Sequence, residues 1–359
     1  MLLKKMKTNK IFFKNSKILP VDKFFKNVLY DKKNGYYTSQ IPFGEKGDFI
    51  TSPKISYLFS EIIAIWIVSC WESCGKPENF NIVELGPGDG SLISILIRTF
   101  KKFPEFNSVK KIFLFETSNY LKKIQKKKIS NNDVKWISNF DIIKKGPVIF
   151  FGNEFFDAIP IKQFKKIKNS IFEKNFTLDK NNNIKTVFKK ASFSNSKIIK
   201  SYKTLSKLKF IEFPKLGFQE LRKMAKKISK LKGCILLIDY GYFKPNNQDT
   251  LQSIMKHKKN DLLNNLGKAD ITAHVNFKLL NEFFLKNKLK IKNLLSQKDF
   301  LENMGIIERA NIISKKMKFT EQSDLYLRIK RLLSPQYMGE LFKVILAYKF
   351  DNDNFAGFK

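Results

Sequence analysis

Cysteine and histidine are scarce in this chain. Its 359 residues include three cysteines and two histidines, His257 and His274. Three cysteines exclude a disulfide framework. Cys70 and Cys74 stand one helical turn apart, but no further Cys or His lies close by to complete a zinc set. They read as small buried side chains, and no metal site is expected. Such cysteine usage fits a reducing cytoplasm. Long apolar runs are also missing. The longest, residues 62–68, is far shorter than the ~20 residues of a membrane span. Residues 1–17 are basic, with one apolar cluster at Ile11-Phe12-Phe13. That cluster is too short for a signal h-region, and the lack of arginine there argues against a transit peptide. There is no internal repeat.

Acidic residues are few: 32 Asp and Glu stand against 68 Lys and Arg, a net charge of +36. Arginine is itself rare, occurring only at Arg98, Arg222, Arg309, Arg328 and Arg331. The abundance of Lys, Asn, Ile and Phe has the look of an AT-rich coding bias and suggests a bacterial protein. A nucleic-acid binder concentrates positive charge on one face. Here lysines run from end to end, so the charge reads as solvated surface that attracts acidic partners non-specifically. With 43% apolar and 14% aromatic residues the chain is globular. It is long enough for one large domain or two modest ones.

The most informative stretch is Ile82-Val83-Glu84-Leu85-Gly86-Pro87-Gly88-Asp89-Gly90-Ser91-Leu92. An apolar strand runs into three alternating glycines, and an amphipathic helix follows. Glycine permits positive φ and lets a ligand approach where a Cβ would block it. The spacing is G-x-G-x-G, not the G-x-G-x-x-G of dinucleotide folds. The next strand ends in Glu116, 30 positions after Gly86 rather than the ~20 of a dinucleotide fold. A carboxylate there can accept both ribose hydroxyls of a nucleoside. Glycine turn plus strand-end acid is the arrangement of S-adenosylmethionine-dependent methyltransferases.

Helix and strand then alternate, which predicts a doubly wound α/β sheet, mostly parallel. Such sheets bind ligands at the C-terminal ends of their strands. Gly86, Glu116, Asp141 and Asn153-Glu154 all fall at or just after such ends. A helix is expected from the hydroxyl-and-proline start Thr51-Ser52-Pro53 through Cys70. Residues 161–211 break the alternation and read as an insert of two or three strands after strand four, with a turn at 179–183. The turn resembles a calcium loop only superficially: Ile184 and Lys190 stand where its Gly and Glu belong. A helical segment, 299–340, interrupts a sixth strand and an antiparallel last strand. The expected organisation is a helix and cofactor-covering loop (1–52), sheet core (53–160), β insert (161–211), second core part (212–298), helical insert (299–340), and last strand with tail (341–359). The two inserts are candidates for shaping substrate access or a homodimer contact.

Asn153-Glu154-Phe155-Phe156-Asp157-Ala158-Ile159-Pro160 is the second informative stretch. In this fold the end of strand four faces the transferred methyl group. A guanidinium stays cationic, with a pKa above ~12. A site for it wants carboxylates that pair with two nitrogens and direct the third. Glu154 suits that role, with Asn153 beside it and Asp157 a weaker candidate. The phenylalanines can exclude water and hold a cation by π contact. A strong base is not required, and neither histidine is assigned a role.

At this point the residues resemble the MidA-like family, relatives of the mitochondrial complex I assembly factor that is a protein arginine methyltransferase. The matching stretches are Gly35-Tyr36-Tyr37, Gly47-Asp48-Phe49-Ile50-Thr51-Ser52-Pro53, Val83-Glu84-Leu85-Gly86-Pro87-Gly88, Asn153 to Pro160, Asp239-Tyr240-Gly241, Ala269-Asp270-Ile271-Thr272-Ala273-His274-Val275, Phe300-Leu301-Glu302-Asn303-Met304-Gly305 and Met338-Gly339-Glu340. The resemblance implies a Rossmann-like class I methyltransferase, the cofactor S-adenosyl-L-methionine, and arginine methylation of the quinone-side subunit of respiratory complex I. It implies a mitochondrial matrix location for a eukaryotic member. Carried over, Gly86, Gly88, Gly90 and Glu116 hold the cofactor, and the loop Asp48, Phe49, Thr51 and Ser52 closes over its methionine end; Pro87 in the turn and Asp141 after its strand end are further cofactor candidates. Glu154 faces the substrate. Lys54 stands where the family usually has an acid, and Asp89 where it usually has Arg. Ser60 replaces a usual Gly and Asn276 a usual Asp. The changed charges at Lys54 and Asp89 put substrate charge preference in question more than cofactor binding. Two other functions compete: a methyltransferase acting on RNA or another nucleic acid, and a non-catalytic assembly chaperone that keeps the cofactor pocket.

Overall fold

The computed structural model describes residues 9–39, 51–129 and 134–358. They fall into two compact units. One comprises Ile50–Phe156, Arg222–Tyr242 and Phe284–Lys359; the other comprises Met1–Phe49, Asp157–Leu221 and Phe243–Phe283.

The first unit holds the central sheet. Its strands are β1 Phe80–Leu85, β2 Lys110–Phe115, β3 Val134–Ile137, β4 Val148–Asn153, β5 Gly233–Tyr242, β6 Lys290–Ile291 and β7 Phe342–Tyr348. Their order is β6-β7-β5-β4-β1-β2-β3. Strands β1 to β5 run parallel, with Ile82 opposite Ile149 and Val83 opposite Phe113. Strand β7 runs antiparallel to β5, Leu236 opposite Leu346. Every residue of β1 is buried, as expected where both faces of a parallel sheet are covered, and its apolar side chains are interrupted only by Asn81 and Glu84. The covering side chains include Phe59, Trp66, Leu96 and Phe100. The chain leaves β1 toward β2 and β3, then returns to the other side of β1 as β4. The sheet order therefore reverses between β1 and β4, where open α/β sheets bind ligands.

The second unit has antiparallel sheets. Lys162–Ile167, Ser170–Leu178, Ile184–Lys190 and Phe210–Phe213 form one sheet with Ile18–Pro20. Leu19 pairs with Phe176, and the adjoining helix Val21–Tyr30 packs Phe24 on Phe176 at 4.9 Å between ring centroids. Lys162 is buried between Asp22 and Glu173, at 2.9 and 2.6 Å. A smaller sheet joins Lys258–Asn260, Gln252–Met255 and Asp270–Thr272.

Several elements differ from the sequence reading. The helix expected from Thr51 to Cys70 is two helices, Ser52–Ile55 and Tyr57–Ser73. Ser56 between them is extended, and its side chain accepts from Leu58 N to cap the second. Thr51 makes no side-chain cap bond. The sixth strand shrinks to two short pairings with β7, Lys290–Ile291 and Leu295–Ser296. The β segment after strand four holds four strands and two helices, Phe193–Ser201 and Lys203–Ser206, and gains a partner strand from near the N-terminus that was not foreseen. Among the described residues no helix is long and apolar enough to cross a membrane.

Candidate active site

Strand β1 delivers Gly86, Pro87, Gly88, Asp89 and Gly90 to the reversal point of the sheet. Gly86, Gly88 and Gly90 have φ of +60°, +56° and +81°, the left-handed region that glycine enters at little cost. Gly86 also meets a close neighbour. A Cβ there would lie 2.9 Å from Phe155 Cδ2, so the ring that follows β4 packs directly on the turn that follows β1. Gly90 starts the helix Ser91–Phe100.

Glu116 follows β2 and is buried. Its Oε1 accepts from Ser118 N at 2.7 Å and its Oε2 from Gln125 Nε2 at 3.2 Å. The Thr117 backbone N–H is a third donor, and a carboxylate with about four acceptor sites keeps capacity for a further hydroxyl. Gln125 is fully buried and was missed by the sequence reading. Its Nε2 also donates to Gly88 O at 2.8 Å, and its Oε1 accepts from Trp136 Nε1 at 2.8 Å. It ties the glycine turn to the strand-end acid.

Glu84 was also missed as a site residue. It lies inside β1, two residues before Gly86, and is 3% exposed. Among the described residues its Oε2 has no hydrogen-bond partner. Burial, then the negative charges of Asp89 and Glu116, push its carboxyl up to about 8. The legible signal was a charge in a buried, mostly apolar strand, a placement that needs a partner. Glu84 therefore keeps its proton at neutral pH, and a cationic ligand beside it would favour its ionisation. Asp89 is held by Lys54 at 2.9 Å and Lys128 at 3.1 Å.

Asn153 ends β4 and Glu154 follows it. Glu154 has φ +52°, a conformation rarely taken by a non-glycine residue and one that stores strain. It persists because its surroundings fix it. Glu154 N donates to Ile238 O at 2.9 Å. Its Oε1 accepts from Asn153 Nδ2 at 3.0 Å and from Ser52 N at 3.3 Å. The next turn is tied down by buried Asp239 on β5, whose Oδ2 accepts from Phe156 N at 2.8 Å. Asn153 Oδ1 is buried without a partner among the described residues.

The fold thus brings Gly86, Pro87, Gly88, Gly90, Glu116, Asn153, Glu154 and Ser52 to the C-terminal ends of neighbouring strands. Thr51 precedes Ser52 and is half-buried. Asp141 is exposed, four residues past the end of β3. Asp157 is buried and belongs to the second unit. Asp48 and Phe49 lie outside the described residues. His274 is in the second unit, where burial lowers its imidazole below the usual value.

These groups fit S-adenosyl-L-methionine. The turn is open in backbone, the strand-end acid can take ribose hydroxyls, and an orphaned buried carboxylate oxygen awaits a cation. Comparison with known proteins agrees. Residues 62–294 match the model of a family described as S-adenosyl-L-methionine-dependent methyltransferases. The chain is 29% identical to a Xenopus laevis protein named Protein arginine methyltransferase NDUFAF7, mitochondrial, over 93% of this chain and 82% of that one. It is 30% identical to the mouse protein of the same name, over 90% and 79%. A Burkholderia thailandensis protein solved with S-adenosyl-homocysteine bound superposes with a TM-score of 0.83 at 21% identity, covering 99% of this chain and 96% of that one; this shows a shared fold. The chain belongs to the S-adenosyl-L-methionine-dependent methyltransferase family that includes the mitochondrial protein arginine methyltransferase NDUFAF7.

Proposed function

We propose that the chain methylates an arginine side chain of a protein, in a respiratory complex I subunit or its homologue. The observation that carries this reading is Glu154: a carboxylate held at the end of β4 by two hydrogen bonds and a left-handed backbone. When bound, S-adenosyl-L-methionine supplies an electrophilic methyl on a cationic sulfur. Gly86, Pro87, Gly88 and Gly90 leave room for it, Glu116 takes its ribose hydroxyls, and Glu84 faces its positive charge. Thr51 and Ser52 cover its methionine end; Asp141 has the weakest claim to a contact. Glu154 pairs with guanidinium N–H groups and aims the remaining nitrogen. Asn153 fixes the Glu154 carboxylate, Phe155 and Phe156 exclude water, and Asp157 offers a second carboxylate from sequence proximity. The relatives' names support arginine as the acceptor. Three unpaired thiols fit a reducing compartment, a bacterial cytoplasm or a mitochondrial matrix.

The test is transfer of labelled methyl from S-adenosyl-L-methionine into a host lysate, by wild type, Glu154→Ala and Gly88→Val. A protein band labelled by wild type alone, yielding methylarginine on hydrolysis, is expected. Label lost to nuclease instead of protease would move the acceptor to nucleic acid. Cofactor binding with no label in any fraction would favour the assembly-chaperone role.

A further inference from the structure

The helix Ser52–Ile55 is gripped at both ends by the helical segment that precedes β7. At one end Ser52, fully buried, donates its hydroxyl to Gln297 Oε1 at 3.3 Å. At the other, Ile55 O accepts from Arg328 Nη1 at 3.0 Å. Gln297 is itself fully buried, and its Nε2 donates to Leu332 O at 3.0 Å. That carbonyl is in the last turn of the helix Phe319–Leu333, where it has no partner within its own helix. Gln297 opens the helix Gln297–Asn303, whose start is locked by the reciprocal cap of Ser296 and Asp299. The amide is therefore held rigidly, and both its donor and its acceptor side are used.

A buried amide is unfavourable unless its hydrogen bonds are made. An apolar side chain would fill the same space without that requirement. What the amide adds is direction: it fixes Ser52, and Ser52 N donates to Glu154 Oε1. We propose that Gln297 is a positioning residue for Glu154, acting through Ser52, so that the helical segment 297–333 sets the orientation of the strand-end carboxylate. The proposal rests on the reading of Glu154 as the group that faces the substrate. It gives the helical insert a part in the reaction without contact with substrate or cofactor.

The test is a double-mutant cycle read by the rate of labelled methyl transfer into host lysate protein at saturating S-adenosyl-L-methionine. Cofactor-site integrity is read separately, by calorimetric affinity for S-adenosyl-homocysteine. Gln297→Met is expected to slow transfer about 10- to 100-fold, the scale for a slightly misplaced reacting group. Affinity for S-adenosyl-homocysteine should stay within about twofold of wild type. Ser52→Ala, which keeps the backbone donor but loses the hydroxyl, should also slow transfer. In a Glu154→Gln background, followed overnight for its residual transfer, neither change should slow the reaction further. Glu154→Asp replaces it if nothing is measurable, and Ser52→Ala carries the cycle alone if Gln297→Met does not fold. Slowing that multiplies in the Glu154 background would make Gln297 a structural part and overturn the proposal. So would an unchanged rate in Gln297→Met, or a parallel loss of S-adenosyl-homocysteine affinity. A wild-type rate for Glu154→Gln would overturn the reading of Glu154 itself, and the relay with it.

Discussion

Lys54 Nζ lies 2.9 Å from Asp89 Oδ2. The MidA-like pattern has an acid at the first position and an arginine at the second, so the two departures are one exchange of charge. They balance each other beside the glycine turn. Reversing one partner should be harmful and reversing both tolerated. Lys54→Glu is expected to destabilise the chain by about 2 kcal/mol, between the values for exposed and buried pairs. Lys54→Glu with Asp89→Arg should recover most of that loss. Urea unfolding of the four variants measures the coupling.

Asp89 also sets a pH window. Burial alone would raise its carboxyl, but the Ser91 hydroxyl, Lys54 and Lys128 outweigh it and hold it at about 2 instead of 3.8. A folded value below the unfolded one means stability that is full above about pH 4 and lost as pH falls toward 2. Asp89→Asn should flatten that limb of the acid-unfolding curve, followed by circular dichroism.

Glu84 has the opposite sign. Its folded value of about 8 exceeds the usual 4.5, so the folded chain favours the proton and stability falls as pH climbs from about 4.5 to 8. Glu84→Gln should raise the unfolding temperature most at and above pH 8. A cationic cofactor beside the carboxylate favours ionisation, so binding below pH 8 should release a proton. Calorimetry with S-adenosyl-L-methionine at pH 7, in phosphate and in Tris, measures that release. The part due to Glu84 is the difference between wild type and Glu84→Gln, and equal release in the two would remove Glu84 from the cofactor site.

Gly86 faces two obstacles to substitution, its φ of +60° and the Phe155 ring 2.9 Å from a built Cβ. Gly86→Ala should lower stability by about 1–3 kcal/mol, of which about 1 is backbone strain. Adding Phe155→Leu should recover the steric part and leave the rest. Thermal unfolding of the single and double variants separates the two.

The cysteines should be inert. Burial, with smaller contributions from Cys234 and Asp351, pushes the Cys74 thiol up to about 12, and burial raises Cys70 as well. At pH 7.5 almost no thiolate exists at Cys70 or Cys74, and Cys234 is fully buried. A disulfide-exchange reagent should label none of the three in the native chain within an hour, and all three in urea.

The sheet and the glycine turn were readable because they depend on local signals: an apolar run, a change of period from two to 3.6, and glycines at fixed spacing. Glu116 and Glu154 were readable for the same reason, standing at strand ends. Gln125 was not, because its role arises only when a helix packs beside the turn and brings its amide to Gly88 O and Glu116. Glu84 carried a visible signal, a charge inside a buried strand, that pattern reasoning passed over. The break at Ser56 was missed because the apolar spacing continues across it, and only the Leu58 cap distinguishes two helices from one. The strand Ile18–Pro20 was invisible for a different reason: three residues carry no period, and its partner lies far along the chain.

That distance has a consequence for synthesis. Pro20 leaves the ribosome 150 residues before Ser170, the first residue of the strand that pairs with it. At translation rates of ~5–20 residues per second, the first strand waits roughly 8–30 s for its neighbour. During that interval Phe12, Phe13, Phe24 and Phe25, all buried in the finished chain, have no sheet to cover them. This segment is made well before the strand that shelters it, so the nascent chain should depend on a holding chaperone until that strand is made.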